Sequence, residues 1–435
     1  VHFPPEDTYN SEFWPSGMRH AQENFAERDR LDEFLVLFGI GDGGGGATEE
    51  IIESGLRQND LEGGPRVRFG KAQEMLNRLG ARRELLQRWN GELYLELHRG
   101  TLTTQARTKF MNRWCEHKLR EVEALFSALP AAEYPAAELD RLWKTVMRNQ
   151  FHDILPGSSI KLVYETTRRE HDEVRKELNG LAGRAGAGLL NEQEGSLTLV
   201  NTLSTPFTRP TFLPAAWIGH EILDEADRPV PVQVREGNLV ALAEVPALSS
   251  VVLRRGQTLP EVDLPPEPRV SEPLAPASLE GVVLENDLIL YELAGDGTIA
   301  RIFDKERSCE VMLPGQSGNR ISLYEDRPAN WDAWDVDIYY ENQLLQQAGL
   351  TGWRRLGSGP VAQMMLLQFR VGDSCIEQRL CLVRNTKRLD FVTHVHWRER
   401  HRMLRVAFDA DVTASEASYE IQYGTVRRPT HRNTS

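Results

Sequence analysis

Five stretches of this 435-residue chain hold residue types that do chemistry. Asn149-Gln150-Phe151-His152-Asp153-Ile154-Leu155-Pro156-Gly157-Ser158-Ser159 brings an amide, an imidazole and a carboxylate close together. On a helix turning about 100° per residue, Gln150 and Asp153 fall on the side of the apolar stripe Leu139, Leu142, Trp143, Val146, Met147, Phe151 and Ile154, and His152 falls nearly opposite. Two readings stay open. Gln150 and Asp153 form a satisfied internal network with His152 on the surface, since buried polar groups must be hydrogen-bonded. Alternatively, His152 binds a metal with co-ligands from elsewhere, because no His-x-x-x-His lies nearby.

The second stretch, Gly39-Ile40-Gly41-Asp42-Gly43-Gly44-Gly45-Gly46, satisfies G-x-G-x-x-G and has Glu62 about 20 residues on, the spacing of a dinucleotide site. That site needs a second parallel strand within a βαβ length, and none follows. A nucleotide site is thereby the weakest of three readings; the others are a flexible connection, or the wall of a sugar-sized pocket in which glycines admit the ligand and Asp42 supplies a carboxylate. Trp331-Asp332-Ala333-Trp334-Asp335 offers two indoles for the apolar face of a sugar ring and carboxylates for its hydroxyls, or else a tryptophan pair that anchors a loop. Glu96-Leu97-His98-Arg99-Gly100-Thr101 either hydrogen-bonds sugar hydroxyls or caps the helix after it. His394 and His396, two apart on one strand face, read as a metal pair or as a half-polar exposed face.

The elements that must position these groups follow from periodicity. Phe34 to Ile40 is a short apolar run that reads as a strand buried on both faces, which puts the glycine loop at its carboxyl end, where α/β folds bind ligands. From about 68 to 180 the period is helical. Helices are expected near 105–129, 137–155 and 159–182, forming an up-down-up bundle, with Ala182 to Gly188 as a small-residue hinge. After 195 the pattern is β. Leu197–Val200 and Leu239–Leu242 are strands, and Pro260 to Pro276 is a proline-rich linker. Gly295-Asp296-Gly297 and Gly372-Asp373 are hairpin turns in a β-sandwich. The fold class is therefore α+β multidomain. Its expected divisions are 1–66, the end of an α/β domain; 67–190, helical; 191–262, a small β domain; and 263–435, a partial β-sandwich.

Composition narrows the partners. Lys and Arg total 51 against 64 Asp and Glu, a net charge of −13, which disfavours nucleic acid, whose phosphates need clustered cations. No apolar run approaches the length of about 18 residues that a membrane-spanning helix needs. Four cysteines without a Cys-x-x-Cys pair make neither a disulfide framework nor a thiolate zinc site, and fit a reducing compartment. The chain begins with Val1 and ends on Arg428-Pro429-Thr430-His431-Arg432-Asn433-Thr434-Ser435, so a fragment of a longer protein is expected.

Taken together the motifs resemble class II α-mannosidases, glycoside hydrolase family 38, of the bacterial and cytosolic type. The resemblance lies in Phe38 to Thr48, Glu92 to Thr101, Asn149 to Ser159, Glu325-Asp326-Arg327-Pro328 with Trp331 to Asp335, and Arg428 to Ser435. It implies an N-terminal α/β catalytic domain, a helical middle domain, C-terminal β-sandwiches, and a single zinc ion held by two His and two Asp. His152 is the implied zinc ligand, and Asp153 beside it is expected to orient groups around the metal. Asp42 falls where the family has its acid or a subsite carboxylate. Arg99, Trp334, Asp335 and His431 are the implied substrate-binding residues. The other zinc ligands and the nucleophile are expected in an N-terminal portion outside this chain. The implied activity is retaining hydrolysis of α-linked mannose in oligosaccharides, in the cytoplasm, with this chain inactive alone. The alternative is a non-catalytic carbohydrate-binding or scaffold module. A bundle face left exposed also gives the chain a route to homo-oligomers.

Overall fold

The structure, a computed structural model, describes residues 8–41, 45–90, 98–190, 193–235, 237–259, 279–421 and 424–431. It separates into two compact units, one spanning 1–97 with 433–435 and the other 98–432.

The described residues of the first unit form three α-helices, α1 (Pro15–Asn24), α2 (Glu49–Gln58) and α3 (Ala72–Gly80). Thr48 caps α2 by accepting from the Ile51 amide, and Glu49 and Glu50 suit the positive end of that helix. Phe13, Met18 and Ile51 are buried together, with Val36, Val67 and Phe69 against them. Phe13 takes a left-handed φ of 57°. Its carbonyl accepts from Ser54 Oγ at 3.0 Å and Gln58 Nε2 at 3.1 Å, which ties it to α2. The run Phe34 to Ile40 is not the doubly buried strand expected. Among the described residues it makes isolated bridges alone, Ser11 with Phe38 and Ile40 with Gly45. Leu37 is 54% exposed and Ile40 49%. A ladder propagates only when a neighbouring strand supplies partners along its length, and among the described residues of this unit none does.

The second unit begins with the bundle: α4 (Ala106–Ser127), α5 (Ala136–Asn149) and α6 (Lys161–Leu189). Leu119, Val122, Leu142, Val146, Val174 and Leu178 fill its core. Two expectations are corrected here. α5 ends at Asn149, so residues 151–156 form a turn rather than the last coil of a helix. The hinge at Ala182 to Gly188 is instead helical, because Leu181 and Ala185 of α6 are buried in the bundle core, and burial outweighs the low helix propensity of the glycines around them.

Nineteen strands are described in this unit. The first six are β1 (Ser196–Asn201), β2 (Phe207–Phe212), β3 (His220–Leu223), β4 (Val232–Arg235), β5 (Asn238–Val245) and β6 (Ser249–Thr258). They form two three-stranded sheets, β1-β6-β3 and β2-β5-β4. β5 is buried on both faces: Leu239, Ala241 and Ala243 enter the core of this small sandwich, whereas Val240 and Leu242 pack on Val361, Met364 and Val383. That two-sided burial explains why its sequence runs apolar instead of alternating.

Next come β7 (Val282–Glu285), β8 (Ile289–Leu293), β9 (Ile299–Asp304), β10 (Cys309–Glu310), β11 (Arg320–Glu325), β12 (Leu344–Gln347) and β13 (Gly349–Ser358). The chain continues through β14 (Ala362–Val371), β15 (Ser374–Val383), β16 (Leu389–His396), β17 (Arg402–Ala407), β18 (Glu416–Ile421) and β19 (Gly424–Pro429). Sheets β10-β9-β8-β7 and β13-β14-β15-β16 share a core of Leu284, Leu293, Ile299, Met365, Leu367 and Leu380. All of their pairings are antiparallel, and both glycine turns make the hairpins expected of them. Gly297 has φ +85° and its missing Cβ lies 2.8 Å from the Phe369 ring, so only glycine fits there. β12-β11-β17 is a third sheet and β18-β19 a hairpin. No helix among the described residues is long and apolar enough to cross a membrane.

Candidate functional site at the polar end of the bundle

α4 and α6 begin, and α5 ends, at one end of the bundle, and there its interior turns polar. Asn112, Asn149, Thr167 and His171 are buried in this layer. Gln150 Nε2 donates to Asn112 Oδ1 at 3.1 Å and to Glu116 Oε1 at 2.7 Å. Asn149 Nδ2 donates to the Thr145 carbonyl at 2.9 Å and Glu170 Oε2 at 2.8 Å. Gln150 thus faces the bundle interior as its spacing implies and is satisfied there. Burial pushes the His171 imidazole below its ordinary value, against the opposing pull of Glu170 and Asp172.

Beyond Gln150 the helix stops, and the turn carries His152 outward with 76% of its side chain exposed. Its Nε2 lies 3.2 Å from Asp153 Oδ2, and its ring is 4.1 Å from that of Phe151. Asp153 does not face the bundle core, because leaving the helix changes its direction. Its Oδ1 accepts from Ser158 Oγ at 3.1 Å, and its carbonyl accepts from Ser159 Oγ at 2.6 Å and Tyr164 Oη at 3.3 Å. Lys109 of α4 grips the far side of the same turn. Its Nζ donates to the carbonyls of Leu155 at 2.9 Å and Pro156 at 3.0 Å, and also to that of Thr104. Burial pushes its pKa down to about 8.

Two close backbone approaches join this turn to other motifs. Gly157 has φ +102°, and a Cβ there would lie 2.6 Å from the Thr104 carbonyl oxygen. A Cβ on Gly100 would lie 3.0 Å from the Asp335 carbonyl oxygen and 3.1 Å from the Trp334 carbonyl carbon. Residues 98–104 are therefore sandwiched between the His152 turn and the tryptophan loop. In that loop Trp331 is 66% exposed, and its ring meets Trp334 edge-on at 6.2 Å. The Asp335 carboxylate accepts from the Val336 amide at 2.9 Å. Arg113, one helical turn after Lys109, pairs with Glu420 of β18 at 2.7 Å, tying the β18–β19 hairpin to α4. His431 follows that hairpin and is exposed. Arg99 is half-buried in the 98–104 segment. Asp42 lies outside the described residues.

One carboxylate here was not singled out from sequence. Asp326 follows β11, its amide donates to the His401 carbonyl at 3.0 Å, and its Oδ1 is buried with no partner among the described residues. Burial first and the charge of Asp332 second push its carboxyl above the usual value, while His401 pulls the other way. Its place in Glu325-Asp326-Arg327-Pro328 was the available signal, but burial of one oxygen is a tertiary property.

The His152 imidazole is accessible and oriented by a carboxylate, which fits a single metal ligand. No group of three His, Cys, Asp or Glu side chains able to hold a metal occurs among the described residues. His394 and His396 are exposed on β16 opposite Glu377 and Cys375, and likewise belong to no such group.

Residues 1–92, 96–189 and 284–435 match, in order, the glycosyl hydrolases family 38 N-terminal domain, the alpha mannosidase middle domain and the glycosyl hydrolases family 38 C-terminal domain. Alpha-mannosidase 2C1 of Homo sapiens is 34% identical across 100% of this chain, which spans 40% of that protein. Alpha-mannosidase G of Dictyostelium discoideum is 31% identical, with 43% of its length spanned. The fold is similar to the crystal structure of an alpha-mannosidase from Enterococcus faecalis V583, with a TM-score of 0.67 and 14% identity over 96% of this chain and 56% of that one.

Proposed function

The chain belongs to glycosyl hydrolases family 38, and on that footing we propose that it forms the end of the N-terminal catalytic domain, the middle domain and part of the C-terminal domain of a zinc-dependent α-mannosidase. The observation that carries this reading is the meeting of the 98–104 segment, the His152 turn and the tryptophan loop at one end of the bundle. His152 is the zinc ligand this chain contributes, with Asp153 holding its imidazole in orientation. The remaining donors and the nucleophilic carboxylate come from residues other than those described. When bound, zinc holds the sugar's hydroxyls and stabilises developing charge.

The chain's own residues bind and orient. Trp331 and Trp334 present indole faces to a ring, and Asp335 and Arg99 present polar groups to its hydroxyls. His431 joins this binding set, and Asp42, which lies outside the described residues, is assigned by the family resemblance alone as acid or subsite carboxylate. The reaction is hydrolysis with retention, in which a carboxylate displaces the leaving sugar and water then releases the mannose. The substrate is an oligosaccharide carrying α-linked mannose, and the compartment is the cytoplasm. We divide the chain at 66, 190 and 262; the second division is supported by the change from helix at Leu189 to strand at Ser196.

A second reading, a carbohydrate-binding module without catalysis, is favoured by one observation: the exposed Trp331 ring suits sugar stacking whether or not a metal is held nearby. Hydrolysis of a chromogenic α-mannoside with added zinc separates the two. The comparison is between this chain, a chain extended to the length of its relatives, and the extended chain carrying His152→Ala. The catalytic reading expects activity in the extended chain alone. Activity in the His152→Ala form removes the ligand role, and an inactive extended chain that still binds mannosides favours the module.

A further inference from the structure

We propose that Lys109 is a positioning residue: its ammonium clamps the backbone of the turn that carries His152 and so sets where that imidazole stands. The inference rests on the reading of His152 given above. An ammonium has three donors and no acceptor, and here three carbonyls, from Thr104, Leu155 and Pro156, converge on Nζ. With its pKa at about 8, Lys109 remains an ammonium with all three protons at neutral pH.

The turn needs such a clamp because His152 does little to fix itself. Its side chain is 76% exposed and its described contacts are to its own neighbours, Phe151 and Asp153. The position of the imidazole is therefore inherited from the backbone. That backbone is held on one side by Tyr164, whose single hydroxyl proton is shared between the carbonyls of Asp153 and Ile154 at 3.3 and 3.2 Å. Lys109 holds the next two carbonyls. The Gly157 approach to Thr104 leaves no room for a side chain between the turn and the 98–104 segment, so Lys109 joins two backbones already in contact. Through Gly100 the same segment abuts Trp334 and Asp335. One side chain that belongs to none of the sequence motifs thus fixes the distance between the His152 turn and the segment that touches the tryptophan loop.

The test uses Lys109→Met, which keeps the stem and removes the donors, and Lys109→Arg, which keeps the charge. A planar guanidinium cannot place three N–H groups on acceptors that converge on a single nitrogen. Gly157→Ala keeps the lysine and forces the same contact apart, so it decides the matter if Lys109→Met fails to fold. Amide hydrogen exchange on the 435-residue chain compares residues 151–159 with core stretches 115–126 and 174–185. Exchange in 151–159 is expected to quicken by about tenfold in Lys109→Met and Gly157→Ala, with both core stretches unchanged and little rescue by arginine. In the extended enzyme, Lys109→Met is expected to retain less zinc after dialysis and to lose kcat with KM held.

Unchanged exchange in 151–159 overturns the proposal. So does faster exchange in all three stretches, which makes Lys109 a general stability residue, and so does a loosened turn with full zinc content and kcat. If the extended chain with His152→Ala stays active, the ligand reading fails by itself, the zinc and kcat outcomes no longer bear on Lys109, and the exchange data alone decide whether it clamps the turn.

Discussion

Gln150 is held in the bundle interior two residues before His152, the proposed zinc ligand. It donates to Asn112 and to Glu116, a carboxylate only 11% exposed that also pairs with Arg113. Replacing it with leucine leaves buried acceptors short of a donor, so Gln150→Leu is expected to lower unfolding free energy by about 1–3 kcal/mol. A urea titration read by tryptophan fluorescence measures this, and an unchanged midpoint contradicts the network. Asp326 runs the other way. Its carboxyl is pushed up, so the fold prefers it protonated, and its ionised form costs stability as pH rises above its unfolded value of 3.8. Asp326→Asn removes that cost. The variant is expected to have a Tm at or above that of the parent at pH 7, with the gap closing near pH 4. A Tm well below the parent at both pH values would falsify the buried-carboxylate account.

At the scale of elements, the bundle divides into an apolar end that holds it together and a polar end that presents the turn. Leu178 of α6 is fully buried at the apolar end. Its truncation to alanine is expected to cost about 2–5 kcal/mol, read from the same denaturant curves. His171 marks the polar end. Its folded pKa lies below its ordinary 6.5, so the unfolded chain takes up a proton that the folded chain resists. Its contribution is fully present above pH 6.5 and declines as pH falls from there toward the folded value. His171→Gln should flatten this part of the stability profile between pH 7 and 5. An identical slope in the variant assigns the acid sensitivity to other groups.

At the scale of the whole molecule, the two units differ in core size. The core of the first unit is built on Phe13, Met18 and Ile51, whereas the second has the bundle core and the sandwich cores. Units with separate cores need not unfold together. Scanning calorimetry is expected to resolve a lower transition for the first unit and a higher one for the second, and a single two-state peak contradicts that independence. The chain spans 40% of the length of the human relative it matches.

Local pattern decided much of this in the sequence itself. Apolar spacing of 3.6 gave the helices of the bundle, glycine turns gave the hairpins at Gly297 and Gly372, and the inward side of Gln150 followed from its angle on the helix. Five motifs also carried the family resemblance. These features depend on a residue and its near neighbours, and near neighbours are written in order along the chain. The end of α5 at Asn149, the helical course of α6 through its glycines, and the failure of Phe34 to Ile40 to join a sheet were decided by partners far away in sequence. The same holds for Lys109, an unremarkable lysine on a charged helix until three carbonyls from two other segments meet it, and for Asp326, whose orphaned oxygen exists only because the folded chain covers it. Burial and convergence are properties of the packed chain, and a one-dimensional pattern does not carry them.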